Sequence, residues 1–249
     1  MSIHHIIRID DDMCHIGCSG WFYWHWKGKF YPESIPQNKW FQHYTKYFDT
    51  VELNSPFYHF PKLSTAKTWY RNAPKDFIYT LKVNRFITHI KKFKNTKKLI
   101  KDFYKLGNAL NEKMGCFLFQ LPPSLKYNKE KLNEIIKQLD SKKKNVVEFR
   151  HESWFREEVY DEFKKNKVIF CIVSSPEMPE DFIKTAEDVY LRFHGKASMY
   201  GSLYTNKELK NWAKKIKKSQ AKNVWAYFNN DDNANAVKNS LYLRKILKA

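Results

Sequence analysis

Short apolar runs recur along the chain at 15–18, 50–53, 77–83, 116–121, 146–149, 168–173, 189–193 and 223–228. Each spans four to seven residues, which suits a buried strand better than a helix. Between most of them, at 39–48, 96–110, 129–139, 153–165, 206–218 and 233–247, apolar residues fall at the three- and four-residue spacing of a helix with one buried face. Strand followed by helix, repeated, predicts parallel strands joined by crossovers. Eight such units close into a TIM-type (β/α)8 parallel barrel, an α/β fold of about 250 residues. An open doubly wound sheet is the alternative, but the first run is not followed by the glycine-rich phosphate loop of that fold.

Two crossovers break the pattern. Residues 55–76 carry Pro56, Pro61 and Pro74, which predicts a long loop before a short helix. Residues 174–188 carry Pro176 and Pro179, which predicts a helix that is short or missing after the sixth strand. No repeat or linker divides the rest, so 14–249 reads as a single barrel domain. Residues 1–13 read as an N-terminal extension, with Asp10, Asp11 and Asp12 and no apolar signal run. No apolar stretch reaches the roughly 18 residues that would span a membrane.

The candidate chemistry lies at the strand ends. Loops after the strands of a parallel barrel form its functional face, and side chains two apart on a strand share a side. At that spacing stand Glu52 and Asn54, Lys82 and Asn84, Glu148 and Arg150, and Arg192 and His194. His151 follows Arg150 after the fifth run, Gln120 closes the fourth, and Asn229, Asn230 and Asp231 close the eighth. Charges inside apolar strands are costly unless paired or used. Their recurrence at one end therefore predicts a ligand pocket in preference to a satisfied polar plug. Arginine suits phosphate or carboxylate through its planar fork. The first loop, with Trp21, Phe22, Tyr23, Trp24 and Trp26, hangs over the same face. Its rings could stack on a sugar or base, or pack the loop down.

Composition changes this picture in two respects. The formal net charge of +19 raises the possibility of a nucleic-acid partner, but only seven of the 45 basic residues are arginine, and the lysines scatter over helix faces. A solvated basic surface is the preferred reading. Cys14, Cys18, Cys116 and Cys171 all lie in apolar, strand-like surroundings, which predicts buried thiols in a reducing cytoplasm and no zinc site.

Several motifs together resemble one family. They are Gly17-Cys18-Ser19-Gly20-Trp21, Val51-Glu52-Leu53-Asn54 leading to Phe57-Tyr58, Gln120-Leu121-Pro122-Pro123, Val147-Glu148-Phe149-Arg150-His151 with Ser153-Trp154, Leu191-Arg192-Phe193-His194-Gly195 and Tyr227-Phe228-Asn229-Asn230. In this order, from about Cys14 to about Leu243, they are similar to the domain-of-unknown-function family 72, the YecE-like proteins. The resemblance implies a TIM-type barrel and no established reaction. The chain departs from the family pattern at Cys18, where threonine is usual, at His59, where arginine is common, and at Ser174, where aspartate is common.

Three functional readings follow. The first is an enzyme acting on a small phosphorylated, carboxylated or sugar-like substrate. Glu52 or Glu148 would be general acid or base, and His194 or His151 a proton shuttle. Lys82, Arg150 and Arg192 would hold the anion, with Trp21, Asn54, Tyr58, Gln120, Asn229 and Asn230 lining the pocket. No cofactor is predicted. The second is a metal-dependent hydrolase or isomerase barrel, endonuclease-like, with Glu52, Glu148, His151 and His194 as ligands. Arg150 and Arg192 would repel its cation. The third is a nucleic-acid or nucleotide binder. The first is preferred because convergent ionisable groups at a barrel mouth usually perform chemistry.

Overall fold

The computed structural model describes residues 14–248, so the proposed 1–13 extension lies outside the described residues. Eight parallel strands form a nearly closed barrel: β1 (Cys14–Cys18), β2 (Thr50–Leu53), β3 (Ile78–Lys82), β4 (Met114–Gln120), β5 (Asn145–Glu148), β6 (Ile169–Ser174), β7 (Val189–Phe193) and β8 (Val224–Phe228). Each pairs with its neighbours in the order β1-β8-β7-β6-β5-β4-β3-β2. Helices alternate with them: α1 (Trp40–Tyr44), α2 (Ser55–Tyr58), α3 (Leu63–Asn72), α4 (Lys97–Leu110), α5 (Lys129–Gln138), α6 (Glu157–Lys165), α7 (Asn206–Ser219) and α8 (Asn235–Lys248). The TIM-type barrel expected from the apolar pattern is therefore the fold, and no helix among the described residues is long and apolar enough to cross a membrane.

The eight expected strands are all present, with ends shifted by at most two residues. Helices differ more. The pattern at 39–48 yields only five helical residues, α1, after a 3-10 turn at Gln37–Lys39. The pattern at 153–165 splits into a 3-10 turn, Glu152–Trp154, and α6. The second crossover holds two helices, and α3 runs for ten residues. No helix forms between β6 and β7. Pro176 and Pro179 interrupt that segment, and Thr185 ties its far end to the sheet. The Thr185 hydroxyl donates to the Val168 carbonyl (2.7 Å) and accepts from the Phe170 N–H (2.8 Å).

Strand alternation sorts the side chains. Cys116, Leu118, Val146, Ile169, Cys171, Val173, Tyr190, Trp225 and Tyr227 fill the barrel interior, and the larger apolar cluster lies between strands and helices. The Tyr227 hydroxyl bonds the hydroxyls of Thr50 (2.7 Å) and Thr80 (3.0 Å) across the interior. All four cysteines are buried free thiols. Where β1 meets β2 the ladder is replaced by a side chain: the Tyr44 hydroxyl accepts from the Cys18 N–H (3.0 Å) and donates to the Thr50 carbonyl (3.0 Å). Gly17 makes this approach possible, since a Cβ there would lie 2.5 Å from the Thr50 carbonyl oxygen.

Candidate active site

Above the apolar interior, the inward positions become charged. Glu52 and Glu148 come from β2 and β5, Arg192 from β7, and Arg150 and His194 stand two residues and one residue beyond their strands. Glu52 is buried and accepts from Arg192 Nε (3.0 Å) and Nη2 (2.6 Å), from the Tyr190 hydroxyl (2.5 Å) and from the Ser19 hydroxyl. Glu148, also buried, accepts from Arg192 Nη1 (2.7 Å) and from Arg150 Nε. Burial opposes its charge, yet the Arg150 and Arg192 guanidiniums hold Glu148 well below the ordinary carboxylate range. The remaining donors of Arg192 reach Ser19 Oγ (3.1 Å) and His194 Nε2 (3.4 Å).

His194 is fully buried between two cations. Its Nε2 lies 2.9 Å from Arg150 Nη2, and arginine can only donate, so this nitrogen is the acceptor. The ring proton therefore belongs on Nδ1, which stands 3.2 Å from the Asn229 amide group. Burial, reinforced by Arg150 and Arg192, pushes the imidazole down to about 3, so it is neutral near pH 7.

Not every cation here is spent. Arg150 is the less enclosed arginine, with a side chain 12% exposed, and its Nη1 has no partner among the described residues. Lys82, at the end of β3, has its Nζ 4.0 Å from the centroid of the Phe57 ring and no oxygen acceptor among the described residues. Burial, then Arg192, lower its ammonium to about 8, against opposing pulls from Glu148 and Glu52. Beside it stands His89, carried on a π turn, Phe86–Ile90, and packed edge-on against Phe57 at 5.0 Å. Its Nδ1 lies 2.9 Å from Thr88 Oγ1, and Nε2 faces the Gln120 amide at 3.4 Å. Burial and the charges of Lys82 and Arg85 hold His89 near about 4, so this imidazole is also neutral.

The other expected site residues divide. Asn54 donates to Ser19 Oγ (2.9 Å), and Gln120 donates to the Leu121 carbonyl (3.0 Å) near His89, so both belong to the mouth. His151 does not join the cluster: its Nδ1 accepts the Ser153 N–H (3.1 Å) and caps the 3-10 turn. Asn230 is a buried tie from the loop to α8, donating to Ser202 O (2.9 Å) and Asn239 Oδ1 (2.8 Å). Tyr58 is 61% exposed. Trp21 lies in a groove of about 450 Å³ between α1 and α3, with Phe41, Leu53, Trp69 and Arg71. Much of the first loop packs down: Trp26 and Tyr31 are buried, and Tyr31 stacks on Trp40 at 4.7 Å. Of the four side chains of the metal-dependent reading, Glu52, Glu148 and His194 gather around the Arg192 guanidinium, which fills the space a cation would need, and His151 serves as a cap. Ser19, Tyr190 and His89 carry much of the arrangement and were not among the expected residues. Ser19 and Tyr190 keep the inward phase of Gly17 and Arg192, which could have marked them. His89 sits in a turn with no strand register to point to it.

The family model described as "Protein of unknown function DUF72" matches residues 15–249. The chain belongs to this family. The UPF0759 protein YunF of Bacillus subtilis (strain 168) is 24% identical over 270 residues, covering 94% of this chain and 95% of that protein. A solved DUF72 family protein from Thermotoga maritima MSB8 is 28% identical, with a TM-score of 0.86 over 95% of this chain and all 100% of its own. A second, from Enterococcus faecalis V583, shares the fold at 20% identity, with a TM-score of 0.82 over 95% of this chain and 96% of that one. The DUF72 match thus spans the barrel from β1 to α8, including every strand that contributes to the mouth.

Proposed function

We propose that this DUF72 barrel is an enzyme acting on a small substrate that carries a phosphate or carboxylate, bound at the C-terminal mouth of the strands. The observation that carries the reading is an imbalance. Three cations, Lys82, Arg150 and Arg192, share the mouth with two carboxylates, Glu52 and Glu148. Both nearby imidazoles are neutral, so one positive charge is left over. Arg192 is consumed by its internal bonds, which leaves Arg150 Nη1 as the direct ligand of the anion and Lys82 as the second cation facing it. His89 is the proton carrier: it is neutral, half-buried and adjacent to Lys82. Asn54 and Asn229 present amides to the uncharged part of the substrate.

Calorimetric titration with inorganic phosphate and with small mono- and dicarboxylates tests this. Arg150→Ala is expected to weaken binding at least about tenfold, whereas neutralising Lys214 and Lys215 on α7 leaves it unchanged, because screening isolates solvated charges from a small ligand. Tight duplex-DNA binding that falls steeply with salt and is lost through the lysine pair would overturn the proposal in favour of a nucleic-acid partner.

A further inference from the structure

We propose that Lys82 is a covalent nucleophile, which forms an imine with an aldehyde or ketone carbonyl on the same anionic substrate. This rests on the proposed anion site and adds the reacting group. Lysines removed from solvent normally spend their ammonium protons on oxygen acceptors. Lys113, a buried lysine of this chain, does so, donating to the carbonyls of Tyr70 (2.9 Å) and Ala73 (2.8 Å). Lys82 does not. Its ammonium has a ring face, Phe57, on one side and no oxygen acceptor among the described residues. The mouth that surrounds it holds Arg192 and Arg150, with Glu148 and Glu52 pulling the other way, and burial outweighs that pull. An amine in that setting loses its proton easily, and desolvation beside other cations is how enzymes make lysine nucleophilic.

The step balances without a further reagent. The neutral Lys82 amine adds to the carbonyl carbon, forming the C–N bond, and the carbonyl π pair moves to oxygen. The nitrogen loses a proton and the oxygen gains one, giving a carbinolamine. The C–O bond then breaks, a second proton leaves with the oxygen as water, and the C=N bond forms. Nothing is oxidised or reduced. His89, neutral and beside Lys82, is the group placed to carry these protons between nitrogen and oxygen. Arg150 would hold the phosphate or carboxylate and so fix the carbonyl over the amine.

Reductive trapping tests this. The protein is treated with borohydride in the presence of glyoxylate, pyruvate or glycolaldehyde phosphate, and the adduct is located by peptide mass mapping. At pH 7.5 an amine titrating near 8 has a neutral fraction about two-hundredfold above that of an ordinary lysine. One adduct per chain is therefore expected, at Lys82, at least about tenfold faster than at Lys214 and suppressed by inorganic phosphate. The trapping rate should level off above about pH 8, whereas surface lysines keep gaining reactivity toward 10. K82R, which has no amine that can condense with a carbonyl, should lose the adduct. Trapping of Lys82 no faster than Lys214 by all three probes, with phosphate binding intact, would overturn the imine proposal alone. Loss of phosphate binding in the wild type would instead strike the anion site on which it rests.

Discussion

Arg150 donates from Nη2 to Nε2 of His194 across 2.9 Å, and this contact commits the imidazole to its neutral form. Protonating His194 would set a third cation against Arg150 and Arg192 in a buried site. The same holds more mildly at His89, beside Lys82.

A pH dependence of stability follows. His194 and His89 titrate near about 3 and about 4 in the folded protein, below the ordinary value of 6.5. The unfolded chain therefore binds more protons than the folded one between those values and 6.5. Their contribution is fully present above pH 6.5 and is lost as pH falls below it, at about 1.4 kcal/mol per pH unit for each proton. Asp231, raised to about 6 by burial, works in the opposite direction between its ordinary value of 3.8 and 6, and offsets part of the loss. Urea unfolding from pH 7.5 to 5 should show declining stability, with the slope reduced by about one proton in His194→Gln. An unchanged slope in that variant would contradict a neutral, buried His194.

Arg192 and Glu52 are expected to behave as one unit. Removing the guanidinium in Arg192→Met leaves two buried carboxylates without their main partner and should cost about 3–5 kcal/mol. Glu52→Gln alone leaves Arg192 with an excess charge. The double variant should lose less than the sum of the singles, by about 1–3 kcal/mol, in a urea-denaturation cycle. Strict additivity would show that the pair is not coupled.

How much of this was legible in the sequence depends on what fixes each element. Strands such as Thr50–Leu53 and Val189–Phe193 were readable to the residue because both faces are buried, which writes a continuous apolar run bounded by turns. The convergence of Glu52, Glu148 and Arg192 was readable because the two-residue period decides which side chains turn inward. Local patterns could not show that Arg192 would be wholly consumed by internal bonds while Arg150 kept a free nitrogen. That depends on the radial distance between strands far apart in sequence. His151 illustrates the same limit: it follows Arg150 directly, but a single hydrogen bond to Ser153 turns it into a cap. The short α1 was hidden because the apolar spacing through Phe48 continues after the helix has ended.

The β1–β2 seam yields a packing prediction. An added methyl at position 17 would sit 2.5 Å from the Thr50 carbonyl and 3.0 Å from the Tyr44 hydroxyl, so both must move. Gly17→Ala should destabilise by about 1–3 kcal/mol through overpacking. Tyr44→Phe should cost about 1–3 kcal/mol by leaving the Cys18 N–H and the Thr50 carbonyl without their bridge. Because both changes break the same seam, combining them should cost less than the two losses added, as read from thermal or urea unfolding. A Gly17→Ala variant as stable as the wild type would refute the close approach of β1 to β2.

The first loop is tied to the end of β8 by Asp231, and that tie should loosen in mild acid. Asp231 Oδ1 accepts from the Trp26 indole N–H (2.6 Å), and Oδ2 lies 2.8 Å from His25 Nε2. Burial raises this carboxyl to about 6, so it protonates within a range where most carboxylates stay charged. Protonation removes the negative charge that both Trp26 and His25 face, and a charge-assisted bond is about twice as strong as a neutral one. The Trp26 indole N–H resonance should therefore shift with a midpoint near about pH 6, and amides of the first loop should exchange faster below it. Asp231→Asn should hold the resonance at its acid position across the range and give the faster exchange at pH 7. A titration that persists in Asp231→Asn would assign the effect to another group, and one absent from the wild type would mean that Asp231 stays charged through this range.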